Sequence, residues 1–144
     1  GCHGNPGPGG WAYVITREEA GKQVIVKEAY SGEKLTTNNR MELTAVIRAL
    51  ETLSAGLPTR TATFYTDSEY VKNGITLWIH DWKKRGWKTA AKKPVKNQDL
   101  WQQLDDLAAP LELTWRWVRG HNGTPLNERC DTLTQKAILE EENS

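Results

Sequence analysis

The chain has 144 residues, with 19 Lys and Arg, 18 Asp and Glu, and a formal net charge of +1. This length suffices for one domain with its own core, and no apolar stretch approaches the roughly 20 residues of a membrane-spanning helix. The amino-terminal residues lack the basic and apolar segments of a secretory signal. The two cysteines, Cys2 and Cys130, form no metal-clip spacing, so we expect a cytoplasmic protein with free thiols.

The first ten residues, GCHGNPGPGG, contain five glycines and two prolines. A segment so rich in turn residues normally joins two regular elements, yet no element precedes Gly1 in this sequence. Downstream, two β-rich runs flank a charged segment that contains one glycine, which predicts a β-hairpin. These runs are WAYVIT (Trp11 to Thr16) and QVIVKEAY (Gln23 to Tyr30).

Helices and strands alternate after the hairpin. The predicted helices cover Asn38 to Gly56, a Ser68-capped turn to about Gly74, a segment carrying Trp78, Ile79 and Trp82, Asn97 to Ala109, and about Asn127 to Glu140. The predicted strands cover Thr61 to Asp67 and Leu111 to Val118. This order predicts an α/β domain whose sheet contains both antiparallel and parallel pairs.

Three carboxylates stand at element ends or on apolar helix faces. Glu42 begins a helical stripe that continues with apolar residues, Asp67 ends a strand, and Asp131 falls in the stripe predicted for Cys130, Thr134, Ala137 and Ile138. Each acid has an ordinary alternative: a first-turn acid that favours the helix dipole, a turn aspartate, or a surface acid at the stripe's edge.

Taken together, the three acids have a shared chemical rationale. Crowded like charges resist ionising together, and a divalent cation removes that conflict. Oxygen-only ligation suits magnesium or manganese, and carboxylates with two such ions are the apparatus of in-line phosphodiester chemistry. His121, in a glycine loop before Asp131, could transfer a proton near neutral pH, or it could be a loop histidine without function.

The near-neutral net charge conceals a basic segment, Lys83 to Lys96, which carries seven positive residues and no acidic one. The remaining residues keep 12 of the 19 positive charges against all 18 acidic ones, so a polyanionic partner is expected for this segment. Cations interleaved with Trp82 and Trp87 suit phosphates and base or sugar faces. A solvated charged loop is the alternative, and core packing is expected for Trp101, Trp115 and Trp117.

Five segments, in this order, resemble type 1 ribonuclease H of the bacterial form with a basic protrusion: GNPGPGG, TTNNRMEL, TDSEYV, GITLWIHDWKKRGWKTAAKKPVKNQDLW and VRGHNGTPLNERCD. The resemblance covers nearly the whole chain. It implies a ribonuclease H-like α/β fold with a five-stranded mixed sheet flanked by helices. It also implies an endonuclease that cuts the RNA strand of RNA–DNA hybrids with magnesium or manganese, leaving 5′-phosphate and 3′-hydroxyl ends.

The resemblance further assigns site residues. Glu42, Asp67 and Asp131 match three of four metal-binding carboxylates, and His121 matches a loop histidine that assists proton transfer and product departure. The positions that match contacts to the hybrid are Cys2, Asn5, Thr37, Asn38, Asn39, Glu69, Trp78, Trp82, Lys83, Lys84, Arg85 and Trp87. Contacts to 2′-hydroxyls separate RNA from DNA, and phosphate contacts carry no sequence information. We therefore expect cleavage that is largely independent of sequence, by a monomer that contacts no membrane.

The sequence departs from the family pattern in two ways. Glu69 stands where the family usually has glutamine, and a carboxylate can accept but not donate a hydrogen bond. The family also has an apolar central strand, ending in the fourth carboxylate, immediately before the glycine loop. Neither is present here, and AILEEENS at the carboxyl end supplies no such strand.

We therefore expect residues 1–144 to be a single domain that lacks its true beginning, with residues 76–96 as a basic handle. A domain without that strand would leave buried backbone groups unpaired and fold poorly. A genuine truncation is the alternative, and an intact mass of 16.3 kDa would support it. With three carboxylates the chain could also be a hybrid-binding module that does not cleave, and a DNA-directed nuclease or integrase of the same fold is a third hypothesis.

Overall fold

The computed structural model describes residues 1–56, 61–118 and 125–143. The elements are β1 (Gly7–Glu19), β2 (Lys22–Thr36), α1 (Asn38–Gly56), β3 (Thr61–Thr66), α2 (Glu69–Asn73), α3 (Ile79–Lys84), α4 (Gln98–Ala108), β4 (Glu112–Trp117) and α5 (Pro125–Glu142). A π-helical turn, Gly74–Trp78, connects α2 to α3. The chain forms two compact units: the first is Gly1–Ala49 with His121–Ser144, and the second is Leu50–Gly120.

Strands β1 and β2 form the predicted antiparallel hairpin, although both strands are longer than the β-rich runs that predicted them. Ala20 and Gly21 make the two-residue turn with φ of 53° and 79°. Positive φ at both positions matches the twist of the flanking strands. The turn sets the register from Glu19 opposite Lys22 to Thr16 opposite Ile25, and an irregularity between Ile15 and Thr16 then shifts it by one residue, so that Ala12 lies opposite Tyr30.

Glycines of this hairpin allow α5 to pack closely against it. A Cβ added to Gly10 would lie 2.8 Å from the Ala137 Cβ and 2.9 Å from the Thr134 carbonyl oxygen. A Cβ on Gly32 would meet the Ala137 carbonyl oxygen at 3.0 Å. Because real Cβ atoms do not approach other atoms so closely, both positions require glycine for this packing.

Helix α1 begins and ends where the sequence predicted. The Thr37 hydroxyl accepts the Arg40 backbone N–H at 3.3 Å, which caps the first turn. Its buried residues include the predicted apolar stripe and neighbours on both sides: Met41, Leu43, Val46, Ile47, Ala49, Leu50 and Leu53.

Helix α5 buries a different set from the one predicted. Leu133, Ala137 and Ile138 are buried, whereas Cys130 and Thr134 are only half-buried. The predicted burial of Ala137 and Ile138 is thus confirmed, whereas Leu133, and not Cys130 or Thr134, completes the buried stripe.

In the second unit, β3 and β4 pair in parallel, with Phe64 opposite Trp115 and their rings 4.7 Å apart. The predicted break at Gly74 is absent, because this glycine has a right-handed helical backbone. A Cβ there would lie 2.0 Å from the Trp101 indole, so the position makes room for that ring. Helical structure therefore continues from α2 through the π-helical turn into α3.

The predicted antiparallel and parallel pairs are both present, but within the described residues they form two sheets of two strands each and not one mixed sheet. In those parts of the chain, no helix has the length and apolarity required to cross a membrane.

Candidate functional site

The glycine loop folds back along β1. His3 donates its backbone N–H to the Pro8 carbonyl at 2.8 Å, and Gly1 and Gly10 exchange hydrogen bonds of 2.9 Å in both directions. Cys2 bridges to Gly9 between these pairs. The turn residues of the opening segment thus reverse the chain, so that residues 1–3 run antiparallel to the start of β1.

The Cys2 thiol lies within this loop, 3.4 Å from the carbonyl oxygens of both Gly7 and Thr36. The side-chain carbonyl of Asn5 accepts the backbone N–H of Asn38 at 3.0 Å. This bond ties the loop to the first residue of α1 and leaves the side-chain NH2 group of Asn5 as a hydrogen-bond donor. Asn38 and Asn39 are exposed beside it, so the structure brings these four predicted contacts, with Thr37, together at one end of α1.

Glu42 and Asp131, two of the predicted metal ligands, belong to the first unit, and both are half-buried. Glu42 lies between the buried Met41 and Leu43 on α1. Near Asp131 on α5, the Arg129 guanidinium donates two hydrogen bonds to the Glu28 carboxylate, at 2.6 and 3.3 Å. The hydrogen bonds and charge of Glu28 raise the pKa of Arg129.

Asp67, the third predicted ligand, follows β3 in the second unit and is half-buried. Hydrogen bonds at Thr66, Asp67 and Ser68 hold the backbone here. The Thr66 carbonyl accepts the Val118 N–H at 2.9 Å, and the Asp67 carbonyl accepts the Trp117 indole N–H at 3.3 Å. Ser68 caps α2, since its hydroxyl accepts the Val71 N–H. Glu69 is exposed in the first turn of α2.

The tryptophans of the handle form one aromatic cluster. Trp82 is central, with ring centroids 5.8 Å from Trp78, 6.5 Å from Trp87 and 5.5 Å from Trp101. Trp101 is fully buried, as predicted. Trp78, Trp82 and Trp87 are half-buried, so each indole offers only part of its surface to a ligand.

Trp115 is half-buried against Phe64, but the prediction that Trp117 lies in the core is wrong. Its side chain is 37% exposed, and Lys72 Nζ lies 5.4 Å from its ring centroid. Alternation placed Trp117 on the Trp115 face correctly, but at the end of β4 that face is uncovered.

Tyr70 was not predicted to matter, yet it organises the cluster. Its hydroxyl accepts the Trp101 indole N–H at 2.9 Å and the Asn97 side-chain amide at 3.2 Å. Its ring also contacts that of Trp78, with centroids 5.9 Å apart. No sequence signal could have found this, because a tyrosine in a short helix has no distinctive spacing.

The basic segment is a folded loop. Trp87 donates its N–H to the Trp82 carbonyl at 2.6 Å and accepts the Val95 N–H at 3.3 Å. Val95, within the loop, is buried. The seven cations of the segment are exposed, and Lys83 lies 3.2 Å from an Asp105 carboxylate oxygen. Packing thus fixes the backbone while the charges face solvent.

The remaining predicted catalytic residue, His121, lies outside the described residues. Among residues 1–56, 61–118 and 125–143, no group of three or more His, Cys, Asp or Glu side chains is arranged to hold a metal ion. By chemistry, the predicted ligands fit magnesium, because all three are carboxylates. That Glu42, Asp67 and Asp131 share an ion stays a prediction.

Comparison with known proteins identifies the family. The RNase H family model matches residues 1–139. The chain is 52% identical to Ribonuclease H of Treponema denticola, covering 94% of this chain and 91% of that protein. It is 56% identical to Ribonuclease H of Cupriavidus metallidurans, over 95% and 89% of the two chains.

Solved structures agree with this assignment. LC9-RNase H1, a type 1 RNase H with the type 2 active-site motif, is 29% identical with a TM-score of 0.76, over 98% of this chain and 76% of that one. LC11-RNase H1 in complex with RNA/DNA hybrid is 25% identical with a TM-score of 0.74, over 100% and 94%. The fold and the sequence together place this chain in the ribonuclease H family, among the type 1 enzymes.

Proposed function

We propose that this protein is an endoribonuclease that hydrolyses the RNA strand of RNA–DNA hybrids. The observation that carries the proposal is the 52–56% identity to proteins named Ribonuclease H, which extends over about nine-tenths of their length. The related LC11-RNase H1 was solved with an RNA/DNA hybrid bound, which supports the same substrate for this chain.

The first unit offers a surface suited to the RNA strand. At the start of α1, the exposed amides of Asn38 and Asn39 stand beside Asn5, whose carbonyl is already occupied by the Asn38 N–H. Amide donors and acceptors suit 2′-hydroxyls, which are both donor and acceptor. These residues would therefore distinguish RNA from DNA by its sugar.

The second unit offers a surface suited to the DNA strand. The folded basic segment holds its cations in solvent, and its backbone is hydrogen-bonded to Trp82 of the tryptophan cluster. Such cations bind phosphates without regard to sequence. The exposed parts of the half-buried Trp82 and Trp87 indoles are flat apolar surfaces on which sugars could pack. Hybrid binding should consequently be largely independent of sequence.

For the chemistry, Glu42, Asp67 and Asp131 would hold magnesium or manganese, with His121 as the proton-transfer group. Bound divalent ions would activate the attacking water and stabilise charge on the phosphate, as in two-metal phosphodiester hydrolysis. Half-burial of the three carboxylates supports this role, because partial desolvation favours pairing with a cation. The products would carry 5′-phosphate and 3′-hydroxyl ends.

One assay tests the proposal: end-labelled RNA–DNA hybrid, duplex DNA and duplex RNA are incubated with the protein, with and without magnesium. The expected result is cleavage of the RNA strand of the hybrid alone, and only with magnesium. Retention of the hybrid without products would instead indicate a binding module, and cleavage of duplex DNA would overturn the substrate assignment.

A further inference from the structure

We infer that Trp117 is a positioning residue for Asp67, and that its indole N–H fixes the backbone from which that carboxylate projects. The inference rests on the proposed function, in which Asp67 binds a divalent cation. Trp117 closes β4 and lies opposite Thr66, the residue before Asp67. From there its Nε1–H reaches the Asp67 carbonyl at 3.3 Å.

The hydrogen bond from Trp117 acts at a point where the backbone leaves regular secondary structure. The ladder between β3 and β4 ends when the Thr66 carbonyl accepts the Val118 N–H, and α2 starts only at Glu69. Asp67 therefore falls between a strand and a helix and belongs to the regular backbone hydrogen bonding of neither element. The indole of Trp117 donates a hydrogen bond to its carbonyl from a side chain.

The indole is itself held in place. Lys72, on α2, places its ammonium 5.4 Å from the centroid of the Trp117 ring, at a distance where a cation is attracted to the π face. The same residue is 37% exposed, so the hydrogen bond and the cation add to a partial apolar burial in holding the ring. The hydrogen bond at Nε1 and the cation over the ring together favour one position of the indole.

A carboxylate ligand binds a small cation best when its rotamer and backbone are preset, since magnesium demands near-ideal geometry. Groups that orient metal ligands from behind typically change metal affinity about tenfold or more when removed. Trp117 should therefore act on metal affinity and leave hybrid affinity unchanged.

The test compares Trp117→Phe, which keeps an aromatic ring but removes the N–H donor, with Trp115→Phe. The control makes the same substitution two residues earlier on the same face of β4, where the ring stacks on Phe64. Magnesium binding to each purified protein is measured by calorimetry and by the amide shifts of Asp67 and Ser68. Cleavage of the hybrid is then measured against magnesium concentration.

We expect Trp117→Phe to raise the magnesium dissociation constant about three- to tenfold, with kcat restored at saturating magnesium and the KM for hybrid unchanged. Trp115→Phe should leave the dissociation constant at the wild-type value. Equal metal affinity in Trp117→Phe and the wild type, or an equal loss in both variants, would overturn the inference.

A measurement on the wild type covers the case in which Trp117→Phe does not fold. The indole N–H resonance of Trp117 should shift on addition of magnesium with the same saturation as the Asp67 amide, and an unmoved indole resonance would contradict the inference. Failure of the proposed function is distinct, because a wild-type protein that neither binds magnesium nor cleaves the hybrid would remove the activity itself.

Discussion

At the residue scale, Gly10 shows how a missing side chain shapes the first unit. Its α-carbon faces the backbone and the Ala137 side chain of α5 so closely that a methyl group has no space. The effect is steric rather than conformational, because the residue lies within an ordinary strand. The same principle applies to Gly74, where the Trp101 ring occupies the space of a side chain.

Gly10→Ala should therefore destabilise the protein by about 1–3 kcal/mol, because overpacking forces α5 away from the hairpin. Chemical denaturation would measure the free energy of unfolding. Gly56→Ala is the matched control: an added Cβ there contacts no described residue within 4 Å, so the stability of this variant should equal or slightly exceed that of the wild type. A Gly10→Ala variant as stable as the control would contradict the packing argument.

Glu69 is a second single-residue determinant. It is exposed at the start of α2, where its negative charge would oppose hybrid phosphates and its carboxylate cannot donate to a 2′-hydroxyl. Glu69→Gln should bind a non-cleaved hybrid about two- to fivefold more tightly at matched salt. Asp106→Asn removes an exposed charge from α4 of the same unit and should have a smaller effect. Equal dissociation constants for Glu69→Gln and the wild type would show that the Glu69 charge does not weaken hybrid binding.

At the element scale, aromatic packing and the hydroxyl group of Tyr70 position the handle. The Tyr70 hydroxyl accepts hydrogen bonds from α4 and from the loop before it, through Trp101 and Asn97. The π-helical turn at Gly74–Trp78 adds a residue to the helical path. The first residue of this turn, Gly74, contacts the Trp101 ring, so the turn packs directly against that indole.

Tyr70→Phe should destabilise the protein by about 1–3 kcal/mol, since it leaves the buried Trp101 N–H without its acceptor. Thermal unfolding would report the loss, and tryptophan fluorescence would report the disturbed cluster. Tyr65→Phe makes the same change at a tyrosine that is 62% exposed, and its melting temperature should stay at the wild-type value. Indistinguishable melting of the two variants would show that the Tyr70 hydroxyl bonds add no net stability.

At the scale of the whole molecule, the charge is divided: the basic segment carries seven positive residues, whereas the rest of the chain is acidic. Binding to a polyanion should then depend strongly on salt, since each neutralised phosphate releases counterions. The cations are not equivalent, however, because the Lys83 ammonium lies 3.2 Å from an Asp105 carboxylate oxygen.

Lys84→Gln should reduce the slope of log affinity against log salt by about 0.7–0.9. Lys83→Gln should reduce it less, because the charge of Lys83 is already partly neutralised by Asp105. Binding of a non-cleaved hybrid, titrated at several salt concentrations, would give the slopes. Wild-type slopes in both variants would exclude the basic segment from the contact with hybrid phosphates.

The sequence by itself determined the family, the hairpin, the Ser68 cap and most of the elements, although the hairpin strands are longer than predicted and the predicted break at Gly74 is absent. These depend on local signals: period-two and period-3.6 apolar patterns, a glycine between two β-rich runs, and a hydroxyl before a helix. The site residues are a different case. Asn5 and Asn38 do meet, whereas the shared metal site of Glu42, Asp67 and Asp131 stays a prediction.

Only the tertiary structure decided what each face contacts. Alternation put Trp117 on the Trp115 face but could not tell that this face is uncovered at the end of β4. Nor could spacing reveal that Gly74 makes room for Trp101, or that Tyr70 accepts two hydrogen bonds from residues distant in sequence. The physical reason is that periodicity records which side of an element is apolar, whereas partners come from chain segments that periodicity does not connect.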